Sequence, residues 1–190
     1  MSAETDGRRA KGERRRRAII DAALRVVARD GVAAISHRVV AREAEVPPAS
    51  IAYYFDGIDE LLVAALLDGV DALVADVDAL RERVDDPEDW PGAVADLLVA
   101  MVRDHRERTI AEYELYLLAA RRPALRPAAR RWIDVASGYF GDACGGDPVA
   151  VRVLLAAVDG FLVQALIADE PPDPEALHQS LRAIMRLRDG

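Results

Sequence analysis

The chain has 190 residues, 52% hydrophobic and 31% charged, so it is able to bury a core and is too apolar to be a disordered chain. Its net charge of −8 is unevenly placed: residues 1–46 carry 11 basic and 7 acidic side chains, while the remainder carries 14 and 26. No apolar run reaches the roughly 18 residues of a membrane span, the charged N-terminus is no secretory signal, and a single cysteine, Cys144, excludes an internal disulfide framework or a Cys-based zinc site. A reducing, cytoplasmic setting is expected. The basic end could dock a polyanion while the acidic body faces away; a solvated basic tail is the competing reading.

Ala, Leu, Arg and Glu dominate, and Val, Ile and Thr never alternate with period two, so the expected fold class is all-α. Residues 1–12 lack apolar periodicity and read as a flexible basic arm. A first helix is expected from about Glu13 to Asp30, with Ile20, Ala23, Leu24 and Val27 on one face and Gly31 as its stop. Ser36 reads as the N-cap of a short helix reaching about Ala44. Pro47 and Pro48 then interrupt the chain before a third short helix over Ser50–Phe55. Three short helices, the last two joined by a tight turn, have the spacing of a helix-turn-helix.

A long helix should follow from Asp59 to about Val84, with Leu62, Leu66, Val70, Leu73, Val77, Leu80 and Val84 in one stripe. Asp147-Pro148 and Asp173-Pro174 read as N-cap and first-turn pairs that open two last helices, near Asp147–Asp169 and Asp173–Arg188.

The segment Ser36–Phe55, SHRVVAREAEVPPASIAYYF, with the following Leu61-Leu62, resembles the DNA-binding region of the tetracycline-repressor (TetR) family of bacterial transcription regulators. The matching residues are Ser36, Val40-Ala41, Ala44, Val46, Ile51, Tyr53, Phe55 and Leu61-Leu62, and the resemblance covers about residues 14–66. It implies an N-terminal three-helix DNA-binding domain over 13–57, joined by a long helix to a helical effector-binding and dimerisation bundle over 58–190. There are departures. Glu45 stands where the family has Gly, so the turn must be strained or reshaped. Ile58 replaces a usual Lys or Arg, Ala52 often aligns with Tyr, and Pro47 offers no capping side chain.

The resemblance implies operator DNA as partner, an unknown small-molecule effector, a homodimer and no cofactor. Arg38 is the best candidate for a base contact, because an arginine fork bonds guanine O6 and N7 together. Pro48, Ala49 and Ser50 open the recognition helix, while Ser36, His37, Tyr53 and Tyr54 can donate to phosphates. The cluster Arg14, Arg15, Arg16 and Arg17 would compensate for the cation missing at Ile58. Met101, Tyr113, Tyr116, Trp132, Tyr139, Phe161 and Gln164 are candidate effector contacts, with ordinary core packing as the alternative. Glu112 and Glu114 read as solvated or paired.

Leu155, Leu162 and Leu166, with Leu177, Leu181 and Ile184, give stripes on the last two helices for a four-helix dimer seam. Two heads would then sit about 34–36 Å apart, and a ligand that tilts the long helix would change that spacing. An enzyme is not expected: the three histidines are scattered, one Glu175-x-x-His178 pair makes no di-iron or other metal site, and no phosphate-binding glycine loop or nucleophile elbow occurs. The competing classes are a helical module whose basic tail binds an acidic protein, and a small-molecule carrier that does not bind DNA.

Overall fold

The computed structural model describes residues 2–86, 89–170 and 172–186, and their side chains except at 2–6, 8, 142–143 and 184–186. The described residues are helical, without strands: α1 (Ser2–Asp30), α2 (His37–Glu43), α3 (Pro48–Tyr54), α4 (Ile58–Arg81), α5 (Trp90–Arg103), α6 (Arg106–Leu118), α7 (Arg126–Ala143), α8 (Pro148–Ile167) and α9 (Pro174–Arg186). Short 3-10 turns lie at Val32–Ala34 and Pro123–Leu125.

Three element bounds differ most from the sequence reading, one of them the end of α4, which stops at Arg81 and leaves Val84 outside the helix. Helix α1 begins at Ser2, upstream of Glu13, although residues 2–12 have no apolar stripe. Once a packed turn exists, each further residue adds one hydrogen bond, so Ala, Arg and Lys extend a helix without a core to bury. Helix α3 begins at Pro48, two residues early, because proline costs nothing in a first turn. The caps are as expected: Ser36 Oγ accepts from the Val39 N–H (3.3 Å), Asp147 Oδ1 from Val149 (2.8 Å) and Asp173 Oδ1 from Glu175 (3.1 Å).

The chain forms two compact units, divided within α4 between Gly69 and Val70. The first takes residues 1–69 and 110–129, so α6 and the start of α7 belong with α1–α3. Its core is one buried cluster: Ile19, Ile20, Ala23 and Val27 of α1, Val40 and Ala41 of α2, Ile51 of α3 with Phe55, Leu61, Leu62 and Leu66 of α4, and Ala111 and Leu115 of α6 with Leu125. Truncating a buried leucine of this kind to alanine costs about 2–5 kcal/mol.

Polar links add to the core. Glu43 on α2 accepts from Arg25 (2.9 Å) and Arg29 (3.2 Å) on α1. Hydrogen bonds from Arg25, then Arg29, hold its carboxyl below the ordinary range. This support is complete above the unfolded carboxylate range and fades as pH falls through the lowered folded value. Glu114 on α6 accepts the Val32 N–H at 2.7 Å, which ties α6 to the turn that leads into α2.

The second unit takes residues 70–109 and 130–190. Helices α5, α8 and α9 pack on one another through Val94, Leu98, Val102, Val151, Leu154, Val158, Leu162, Leu177 and Leu181, all buried. Arg106 donates to the Leu166 carbonyl at 2.6 Å and caps the end of α8. Cys144 is buried just after α7. Contrary to the expectation of no spanning stretch, Pro148–Ile167 is long and apolar enough to cross a membrane by length and composition. Only Arg152 and Asp159 interrupt it.

The turn after α2 resolves the glycine question. Glu45 adopts φ 54°, in the left-handed region, and the backbone of a glycine C-cap is kept. The Val46 N–H reaches the Ala41 carbonyl (2.9 Å) and the Glu45 N–H reaches Arg42 (3.2 Å), the two bonds of a Schellman stop. A side chain with a Cβ pays a steric cost there of about 1–2 kcal/mol. Glu45→Gly is therefore expected to stabilise the protein by about 1 kcal/mol in urea melts, while Glu45→Ala gains nothing. A Glu45→Gly protein less stable than the parent would contradict the strain assigned to this turn.

Candidate DNA interface

Helices α2 and α3 are held at a fixed angle by Val40, Ala41 and Ile51 below and by the Schellman turn between them. What remains outside is the candidate surface. Arg38 lies in the first turn of α2, exposed, on the rim of a concavity of about 510 Å³ that Ser36, Val39, Arg42, Val46 and Pro48 also line. Pro48 and Ala49 are exposed and Ser50 half-buried at the start of α3. Tyr53 is 80% exposed, and Tyr54 braces it edge-to-face with centroids 4.9 Å apart.

Three sequence assignments change. Arg16 is half-buried with its guanidinium over the Phe55 ring, 5.2 Å from the centroid. Arg17 pairs with Asp68 at 2.5 Å and with Asp21 at 3.4 Å. Arg17 keeps 56% of its side chain exposed while it makes these pairs, and Arg14 and Arg15 are exposed as well. His37 turns its Nε2 out of solvent, where it has no hydrogen-bond partner, so this nitrogen does not face a phosphate.

The candidate effector residues divide between the units. Tyr113 and Tyr116 lie in the first, half-buried on α6, with rings 6.5 Å apart. Met101, Trp132, Tyr139 and Phe161 lie in the second, all half-buried. Tyr139 hydrogen-bonds Asp78 (3.2 Å) beneath the Arg81 guanidinium, and burial raises its pKa, aided by Asp78. Gln164 is exposed on α8, one turn from the half-buried Phe161. Glu112, read from the sequence as solvated or paired, is 6% exposed: a Cβ on Gly69 would lie 2.8 Å from its Oε1, so only glycine on α4 leaves room for it. No local pattern announces a pairing 43 residues apart.

The proposed dimer stripes also change. Leu177 and Leu181 are 5% and 3% exposed within one chain, since α9 lays that face on α5 and α8. Leu162 is likewise buried, Leu155 and Leu166 are half-buried, and the Ile184 side chain lies outside the described residues. Exposed instead are Val149, Val153, Ala156, Val163 and Ile167 of α8, which with the half-exposed Gly160 step by 4, 3, 4, 3 and 4. That stripe was legible in the sequence, beside the stronger leucine stripe on the same helix.

A short N-capped helix, a tight turn and a second short helix with an exposed outer face define a helix-turn-helix transcription regulator. Comparison with known proteins agrees. Residues 19–65 match the model of bacterial regulatory proteins of the tetR family, and residues 85–187 match the tetracyclin repressor-like C-terminal domain. The chain belongs to the TetR family.

The nicotine-responsive transcriptional repressor HdnoR of Paenarthrobacter nicotinovorans is 33% identical over 109 residues, 57% of this chain and 56% of that protein. BetI of Rhizobium meliloti is 42% identical over 52 residues, 27% of this chain and 26% of that protein. The matched segments thus span about half and about a quarter of these relatives. Among solved structures, a TetR-family member (SCO1917) from Streptomyces coelicolor A3 is 40% identical with a TM-score of 0.79, over 90% of this chain and 97% of that one. The multidrug binding protein EbrR, complexed with imidazole, is 40% identical with a TM-score of 0.75, over 90% and 94%.

Arg38→Ala is expected to weaken specific DNA binding by about 1–3 kcal/mol and to blur preference at one base pair per half-site. Selection of binding sites from a random library checks this; an unchanged consensus would remove Arg38 from base readout.

Proposed function

We propose that the protein is a homodimeric repressor that leaves its operator when a small molecule binds, and that it works in the cytoplasm. The observation that supports this best is the single buried core joining α2 and α3 to α6, the helix that carries Tyr113 and Tyr116. Tyr116 itself packs against that core. A ligand that displaces α6 also acts on Glu114, and through the Val32 N–H on the turn before α2. Release then follows from different affinities of the two states for DNA.

The effector class we favour is a planar aromatic cation. EbrR has been solved with ethidium, malachite green and proflavin. In this chain α6 carries the half-buried rings of Tyr113 and Tyr116, 6.5 Å apart, aromatic groups of the kind that receive such a cation. The dimer seam we favour is the Val149–Ile167 stripe of α8, flanked by exposed Ala176, Ser180 and Ala183 of α9 that permit close approach. A helix with so much exposed apolar surface needs a partner, and a two-fold seam supplies it.

Two measurements test this reading. A gel shift on DNA from upstream of the protein's own gene should show a complex; its absence at low salt would contradict the repressor. Val153→Glu should give a folded monomer in sedimentation with weak operator binding, whereas Leu181→Glu should unfold the second unit. A Val153→Glu protein that sediments as a dimer would show that this stripe is not the seam.

A further inference from the structure

We propose that the cleft between α1 and α3 is a seat for one phosphodiester of duplex DNA, with Lys11 and Arg15 as its cations. This rests on the DNA-binding reading above. The cleft holds about 460 Å³ and is lined by Lys11, Gly12 and Arg15 of α1 and by Ala49, Ser50, Tyr53 and Tyr54 of α3. Lys11 and Arg15 are four residues apart, so they stand one above the other on the same face of the helix. Both are exposed. The phosphate-attracting charge of α1 thus sits one turn earlier than the Arg14–Arg17 cluster suggests, because Arg16 and Arg17 are held by Phe55 and Asp68.

The rest of the cleft suits a sugar-phosphate. Gly12 lies on the floor, close to Tyr54: a Cβ there would make an ordinary contact, 3.8 Å, with the Tyr54 hydroxyl oxygen. The Tyr53 ring, 80% exposed and fixed by Tyr54, offers an apolar face to a deoxyribose and a hydroxyl to a phosphate oxygen. Ser50 offers a second hydroxyl, and no carboxylate is among the lining residues. Because α3 forms one wall, a strand lying in the cleft runs alongside the helix whose first turn carries Pro48, Ala49 and Ser50. The start of α1 at Ser2 makes this wall a continuous helix.

The test is the salt dependence of binding to a random-sequence duplex, which needs no knowledge of the operator. The variants are Lys11→Ala, Arg15→Ala, the double variant, and Arg9→Ala as control, since Arg9 lies about 200° around the helix from Lys11. Circular dichroism confirms the helical content of each. Lys11→Ala and Arg15→Ala should each reduce the slope of log K against log salt by part of the one phosphate they share, and the double variant by about 0.9, while Arg9→Ala keeps the parent slope. Tyr53→Phe should weaken binding several-fold at fixed salt and leave the slope unchanged. If the parent binds but Lys11→Ala and Arg15→Ala keep its slope, the cleft is not a phosphate seat and the DNA reading survives. If the parent binds no duplex even at low salt, the DNA reading falls and the cleft with it.

Discussion

The first unit depends on one constraint: α2 and α3 are too short to hold their own shape. Seven-residue helices are unstable alone, and each offers only one or two side chains to a core. Val40, Ala41 and Ile51 become ordered only by sharing a cluster with α1, the first half of α4 and α6. The candidate DNA surface is therefore the outer side of a larger core, and whatever moves α6 or α4 acts on the inner side of the same cluster.

The polar contacts of this unit follow the same division. Side chains that link elements are used to fix helices: Arg25 and Arg29 on Glu43, Arg17 on Asp68, Arg122 on Asp59 at 2.7 Å, Glu114 on the Val32 amide. Several of these pairs are partly exposed, where a single ion pair contributes about 0–1 kcal/mol, so their effect is on geometry more than on stability. Of the exposed cations of this unit, Lys11 and Arg15 line the cleft in which Tyr53 and Ser50 stand, while Arg38 and Arg42 line a separate concavity at α2. The net charge of −8 gives no hint of this arrangement, because phosphate responds to local charge.

Much of the helix-turn-helix was legible because its signals are local. A capping serine, a run of good helix formers and two prolines each act within one turn, and the structure places Ser36, Ala44 and Pro48 at a cap, a helix end and a first turn. Glu45 was legible as a problem, though not its solution: the chain keeps the left-handed turn and accepts the strain. The assignments that changed depend on partners distant in sequence. Periodicity found a stripe on α9 but not what it covers, so Leu177 and Leu181 were assigned to a second subunit when α5 and α8 already cover them. The partners of Arg16, Arg17 and Glu112 were not legible because Phe55, Asp68 and Gly69 lie 39 or more residues away.

The central claim is that α1–α3, the first half of α4 and α6 open and close together. Native-state hydrogen exchange of the backbone amides tests it most directly, because exchange through a shared opening gives one free energy and one denaturant dependence across the unit. The account predicts a common value for the slowest amides of residues 19–27, 40–41, 61–66 and 111–115. Slow amides in α6 that exchange independently of those in α1 and α4 would show that the DNA-reading helices and α6 do not share a core.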